Sequence, residues 1–292
     1  MQSGNFTHDG LRPAQTDRRF SNDKSAHHLR LGLSSLLMVP FLALLQTASA
    51  FAGRPLVTDD AFPVPSGQVQ IEFGMSYNRP AGGGRELTWP VASIAYGLIK
   101  RLETSLSIQR VDNADRGEMP VAGFQDIHLG AKLIFVEEIA GWPAMSLALD
   151  IKLPTANESK GLSTGKSDQG FTLIFSKDLA PIELDLNLGY LRVGSAKNEK
   201  LKNVISGGIA AQYALRPEVV LVGEIFGASR SDQGSPNQAA FQLGLRYAAT
   251  PQLVLDTAAG RSLRPTGSDF QITAGLTWTH DFATLISKPD KK

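Results

Sequence analysis

Three observations predict an all-β fold, a transmembrane antiparallel up-and-down β-barrel of about 12 strands. Apolar and polar residues alternate with period two over runs of about ten residues, the length a tilted strand needs to cross a bilayer. Connections between the runs alternate between short turns and longer polar loops. The Trp and Tyr residues fall at run ends, the heights of two interfacial aromatic girdles. A soluble β-sandwich would also alternate, but it buries its apolar face in a core and needs neither girdles nor sidedness in its loops.

The clearest stretch is 142–177. Met145, Leu147, Leu149, Ile151 and Leu153 alternate with Ser146, Ala148, Asp150 and Lys152. A polar loop holding Pro154, Asn157, Gly161 and Gly165 follows, and Phe171, Leu173 and Phe175 then alternate with Gly170, Thr172 and Ser176. This is a hairpin with one apolar and one polar face.

Taken in order, the chain begins with a candidate export signal. Leu31 to Gln46 is an apolar run preceded by Lys24 and Arg30 and followed by Ala48-Ser49-Ala50-Phe51-Ala52, with small residues at the −3 and −1 positions of a cleavage site. The run is interrupted by Pro40 and is shorter than the roughly twenty residues a spanning helix needs. Residues 1–52 therefore read as an extended N-region and signal peptide, cleaved after Ala52 or Ala50. The thirty residues ahead of the run are long for an n-region, and a mis-assigned start codon would account for them.

Residues 53–66 are rich in proline, include Asp59 and Asp60, and show no period. They read as an ordered arm on the periplasmic side or inside the barrel mouth. The barrel is expected over 67–282, with 283–292 as a tail.

Val69, Ile71, Phe73, Met75 and Tyr77 form the apolar face of the first strand, and Pro80 to Arg85 turns it. Leu87 to Leu98 is less regular, because Pro90 lies inside it and neither phase is cleanly apolar. Leu102, Thr104, Leu106 and Ile108 mark strand three, and a polar loop is expected over Asp112 to Pro120. Strand four sets Ile127, Leu129, Ala131, Leu133 and Phe135 against Asp126, His128, Gly130 and Lys132. After the 142–177 hairpin, strand seven sets Ile182 to Tyr190 against Glu183, Asp185, Asn187 and Gly189. Strands eight to twelve follow at Val204–Tyr213, Val219–Phe226, 239–247, Leu253–Gly260 and 270–278.

Composition excludes several classes. The formal net charge is +1, and no basic excess points to nucleic acid. The chain has no cysteine, which in an exported protein fits a large self-closed barrel better than a disulfide scaffold and rules out lipidation of a cysteine.

Chemical motifs are weak. Gly161-Leu-Ser163-Thr-Gly165 matches a nucleophile elbow, but that motif needs a strand before it and a helix after it, whereas here a loop leads into a strand. Gly165-Lys166-Ser167 resembles the end of a phosphate loop, yet Lys160 stands where its first glycine belongs. His128 lacks the second His or Cys of a metal site. No cofactor, no metal and no enzymatic step is expected.

The polar faces gather Glu72, Glu103, Asp126, His128, Lys132, Asp150, Lys152, Glu183, Asp185, Glu224, Arg246 and Asp256. In a barrel these point into the lumen, where they either brace a narrow interior or line a pore. Asp59 and Asp60 on the arm are expected to meet Lys132, Lys152 or Arg246 if the arm plugs that lumen.

Five segments also resemble a known family: PLVTDDAF, GQVQIEFG, GFQDIHLGAKLIF, IKLPTANESKGLSTGKSDQGFTLIFSKDL and LNLGYLRV. Together they are similar to the outer-membrane barrels assigned as transporters of the meta-cleavage phenol-degradation pathway, over about 54–278. The resemblance implies passage of small, often aromatic or hydrophobic, molecules across a Gram-negative outer membrane. Asp59, Asp60, Asp126, Pro154, Gly165, Asp168 and Gly170 are the matching positions, which by the resemblance shape the arm and the third external loop. It implies a small-molecule solute, outer-membrane lipid and the barrel-assembly machinery as partners, with the oligomeric state open. Barrels of this kind usually end on an aromatic residue, so the assembly signal here is either lost or moved inward to Thr273 to Phe282. The expected function is a porin-like channel for diffusive uptake. The alternatives are a closed structural or surface-interaction barrel and an outer-membrane hydrolase using Ser163.

Overall fold

In the computed structural model, the described residues are 53–81, 83–114, 120–194, 201–231, 237–265 and 267–282. The expected signal peptide at 1–52 and the tail at 283–292 lie outside them.

Period-two patterning becomes β1 (Gln68–Pro80), β2 (Arg85–Ile99), β3 (Leu102–Ala114), β4 (Val121–Phe124), β5 (Ile127–Val136), β6 (Ala144–Leu153), β7 (Asp168–Leu179), β8 (Ile182–Arg192), β9 (Val204–Arg216), β10 (Val219–Ala228), β11 (Gln238–Thr250), β12 (Leu253–Ser262) and β13 (Ser268–Asp281). Apart from β4 and β5, each pairs antiparallel with its neighbours in sequence, and β1 pairs with both β2 and β13, so the sheet closes on itself. Closure satisfies every strand's backbone without leaving an edge, which is what the hydrocarbon core demands. Both β4 and β5 pair with β3, at Arg110–Asn113 and Leu102–Ser107 respectively. The ten-residue β5 makes the crossing and the short β4 continues it past a break at its loop end, so the barrel has 12 spanning strands.

Two local departures from regular alternation have physical causes. The expected loop at Asp112 to Pro120 is shorter, because β3 continues to Ala114 and β4 starts at Val121. Asp126 is not on a strand face: it occupies the break between β4 and β5. In β2 the register against β1 shifts between Gly74 and Ser76, beside Trp89 and Pro90. A bulge there tolerates a proline without a ladder N–H and flips the phase of the side chains. Leu87 pairs with Tyr77 above it and Ala92 with Phe73 below it, and this is why neither phase of β2 reads as apolar along its whole length. Trp89 accordingly stands inside β2, edge-on to Phe73 at 5.3 Å, rather than at a strand end.

The outer wall is apolar and open: Phe171, Leu188, Ile209 and Leu243 are among many large hydrophobic residues at 40% exposure or more. In water such a surface would be a liability, but in a barrel it is the hydrocarbon-facing band. Turns at 100–101, 180–181, 217–218 and 251–252 are short, and the connections at the other end are longer. The C-terminal end of β13 lies beside the start of β1 at the short-turn end, where Gln68 pairs with Asp281. By barrel convention that end faces the periplasm.

Candidate functional site in the barrel lumen

Residues 53–65 run through the lumen without joining the sheet. Pro55, Pro63 and Pro65 remove three backbone donors and disfavour ladder pairing. A buried irregular segment must still satisfy its remaining N–H and C=O groups, and inward side chains of seven strands do so, with Lys132 of β5 donating to the Asp60 carbonyl at 3.2 Å. On β11, Arg246 donates to the carbonyls of Arg54 (2.7 Å) and Gly53 (2.9 Å), and Gln242 donates to that of Pro55 (2.9 Å). On β10, Glu224 accepts the N–H groups of Val57 (2.7 Å) and Thr58 (2.8 Å), one on each oxygen. The Asn187 amide of β8, oriented to satisfy both groups, bonds the N–H and the carbonyl of Asp59 at 2.8 Å each. Ser176 of β7 accepts the Ala61 N–H at 2.8 Å, Ser146 of β6 donates to the Ala61 carbonyl, and Glu103 of β3 accepts the Val64 N–H at 2.6 Å.

Side-chain contacts fix the same path. Arg54 reaches Asp256 at 3.3 Å, Thr273 Oγ1 at 2.9 Å and the Ala274 carbonyl at 2.8 Å. Lys132, almost wholly buried, lies 3.1 Å from Asp59, 3.8 Å from Glu103 and 4.0 Å from Asp60. Ala61 packs with Ile134, Ala144 and Ile174, flanked by Phe62 and Ala148. The floor is cleared of side chains where the arm crosses it. A Cβ on Gly74 or Gly275, which face each other on β1 and β13, would collide with the Arg54 guanidinium, and one on Gly97 would collide with the Pro65 carbonyl.

The expected meeting of Asp59 and Asp60 with Lys132 is present, whereas Arg246 holds the arm's backbone and not its carboxylates. Lys152 belongs to a separate cluster on the external side. It lies 2.8 Å from Asp168 and 3.5 Å from Asp126. Asp126 accepts the N–H groups of Thr155 and Ala156 at 2.9 Å each and the Ser163 hydroxyl at 2.7 Å, and Asp168 accepts the Gly194 N–H at 2.8 Å. Burial pushes the Asp126 carboxyl up, but the Ala156 N–H, the Ser163 hydroxyl and Lys152 outweigh it and hold it below its ordinary value.

The loop that follows Pro154 is thereby tied down, with Gly165 at a φ of 64° and Gly170 opposite Asp150 in the β6–β7 pair. His128 Nδ1 lies 2.8 Å from Asp150. Asp185 is held by Ser176 (2.6 Å) and Gln212 (2.9 Å), and Glu183 lies 3.5 Å from Gln212.

On the side of β1, β2 and β3 the arm leaves a cavity of about 640 Å³. Gln70, Glu72, Ser93, Ser105 and Ser107 form its outer wall, and Arg54, Asp59 and Phe62 are on its inner side.

The lumen charges are legible in the polar phase of the strands, whereas Gln242, Asn187, Ser146 and Ser176 are neutral, carry no motif and do not stand out as arm partners. Ile134 and Ile174 are apolar residues in otherwise polar phases. Such phase violations, together with glycines at inward positions, are the signal that something packs against the inner wall.

Among solved structures, the COG4313 outer membrane channel from Pseudomonas putida F1 matches with a TM-score of 0.60 and 15% identity, covering 76% of this chain and 98% of that one. The NanC porin matches with a TM-score of 0.50 and 9% identity, covering 72% and 98%. These likenesses are of fold. No curated protein matches the chain in sequence. A family model does match, over residues 52–279, from before the lumen arm to within β13, and the chain belongs to that family, described as "Putative MetA-pathway of phenol degradation".

Proposed function

We infer that the chain is an outer-membrane channel for the passive passage of small molecules, and that the arm sets the width of the path. The observation that carries this reading is the cavity left between the arm and β1, β2 and β3 inside a closed barrel. Its volume of about 640 Å³ lies within the range of about 300–1,000 Å³ typical of small-molecule sites. The family's description points to phenols and related aromatic compounds as the solutes, and Phe62 and Val91 give the cavity apolar surface beside its serines.

A structural barrel is the second reading, favoured by how completely the arm's backbone is bonded to the wall. A hydrolase has less support. Ser163 donates to Asp126 and accepts the Gly165 N–H at 3.0 Å, so its hydroxyl ties a loop, with no histidine as partner among the described residues.

Single-channel conductance of residues 53–292 in a planar bilayer, with and without 53–65, separates the first two readings. Steps in the full chain, larger without the arm, support the channel; silence in both supports the structural barrel.

A further inference from the structure

If the barrel is a channel, the charges along the cavity decide which class of solute it admits. Two cations and three carboxylates line the cavity: Arg54, Lys132, Asp59, Glu72 and Glu103. Both cations are also committed to acids behind the lining. Arg54 is paired with Asp256 at 3.3 Å, and Lys132 has Asp60 at 4.0 Å in addition to Asp59 and Glu103. Arg54 is therefore offered to a passing anion only with a carboxylate already beside it, and Lys132 only with three.

Glu72 stands differently. It lies on the β1 wall of the cavity and accepts hydrogen bonds from neutral groups, Ser93 Oγ at 3.2 Å and the Gln70 amide at 3.3 Å. Ser105 and Ser107 continue the same wall with hydroxyls only. The low-dielectric barrel wall focuses this excess of one sign into a narrow passage, and a focused field raises the local concentration of counter-ions.

We propose that the passage beside the arm is selective for cations, with Glu72 as the specificity-determining residue. The solutes it admits are then neutral or cationic small molecules, including protonated amines with an apolar body, and carboxylate-bearing aromatics are excluded. The apolar lining given by Leu56, Phe62, Val64 and Val91 suits the body of such a molecule, and Glu72 suits its charged end.

The test is the reversal potential of the full chain, purified from outer membranes, under a KCl gradient and under gradients of benzylammonium chloride and potassium benzoate. The wild type is expected to favour potassium over chloride by about tenfold, and to pass benzylammonium readily and benzoate poorly. Glu72→Gln is expected to reduce the potassium preference several-fold. Ser105→Lys, which adds a positive charge to the same wall without touching the arm's bonds, is expected to abolish or reverse it. Heat-modifiable migration on gels verifies that each variant has folded. Conductance with no cation preference, or an unchanged preference in both variants, overturns this inference and leaves the channel reading standing. Absence of conductance in every variant overturns both.

Discussion

Removing the charge of Lys132 tests whether the arm is held by electrostatics at the β5 wall. Lys132→Met keeps most of the side chain's volume but leaves Asp59, Asp60 and Glu103 facing one another without the cation that lies within 4.0 Å of all three. It also removes the hydrogen bond to the Asp60 carbonyl at 3.2 Å. Breaking a buried pair by deleting one partner costs about 3–5 kcal/mol. Asp59 is 38% exposed and contributes at the lower end, whereas Asp60 at 2% and Glu103 at 13% carry most of the effect. Glu103 stands directly opposite Lys132 in the β3–β5 pair, so that contact also joins the wall, but the backbone ladder is untouched and the rest of the cost falls on arm docking. Docking is weakened roughly 10²- to 10⁴-fold.

The chain has no cysteine, so a single Thr58→Cys gives a clean reporter. Thr58 is buried and its hydroxyl bonds to nothing among the described residues, so the replacement removes no hydrogen bond. In the Lys132→Met background, maleimide labelling of this thiol is expected to accelerate, and single-channel conductance is expected to approach that of the arm-deleted chain. Unchanged labelling together with unchanged conductance would refute the reasoning.

Four further outcomes follow from the same geometry. Glu224→Gln replaces a carboxylate that receives two arm N–H groups and should weaken docking by about 1.5–3 kcal/mol, read as faster labelling at position 58. Gly97→Val sets side-chain atoms against the Pro65 carbonyl and should raise conductance while leaving gel migration of the folded barrel unchanged. Because Asp126 is held below its ordinary carboxyl value, its tie to the 154–167 loop is fully present above that value and is lost as pH falls through the lowered one. The Thr155 and Ala156 amide resonances should therefore titrate with a midpoint below that of an ordinary aspartate, and a midpoint above it would contradict the reasoning. Ser163→Ala deletes a hydrogen bond to the Asp126 carboxylate, worth about 1.5–3 kcal/mol, together with the acceptor of the Gly165 N–H, and should leave conductance intact.

The amino-acid sequence by itself determined the barrel. Alternation along a strand is a local property, so Leu147 to Leu153 or Leu184 to Tyr190 declares an apolar face whatever it pairs with. Loop sidedness and the strand count follow from the same reading. Local patterning failed at Trp89 and Pro90, where a bulge switches the phase, and at Asp126, where one crossing breaks into β4 and β5.

Only the tertiary structure decided where the arm goes. Its partners lie far along the chain, Asp256 for Arg54 and Glu224 for Val57 and Thr58, and they converge only because closure brings β3, β10 and β12 around one lumen. No period in residues 53–65 encodes that convergence. The arm's backbone is satisfied by side chains of the wall and not by a repeating ladder, so its position is a property of the closed barrel and not of its own sequence.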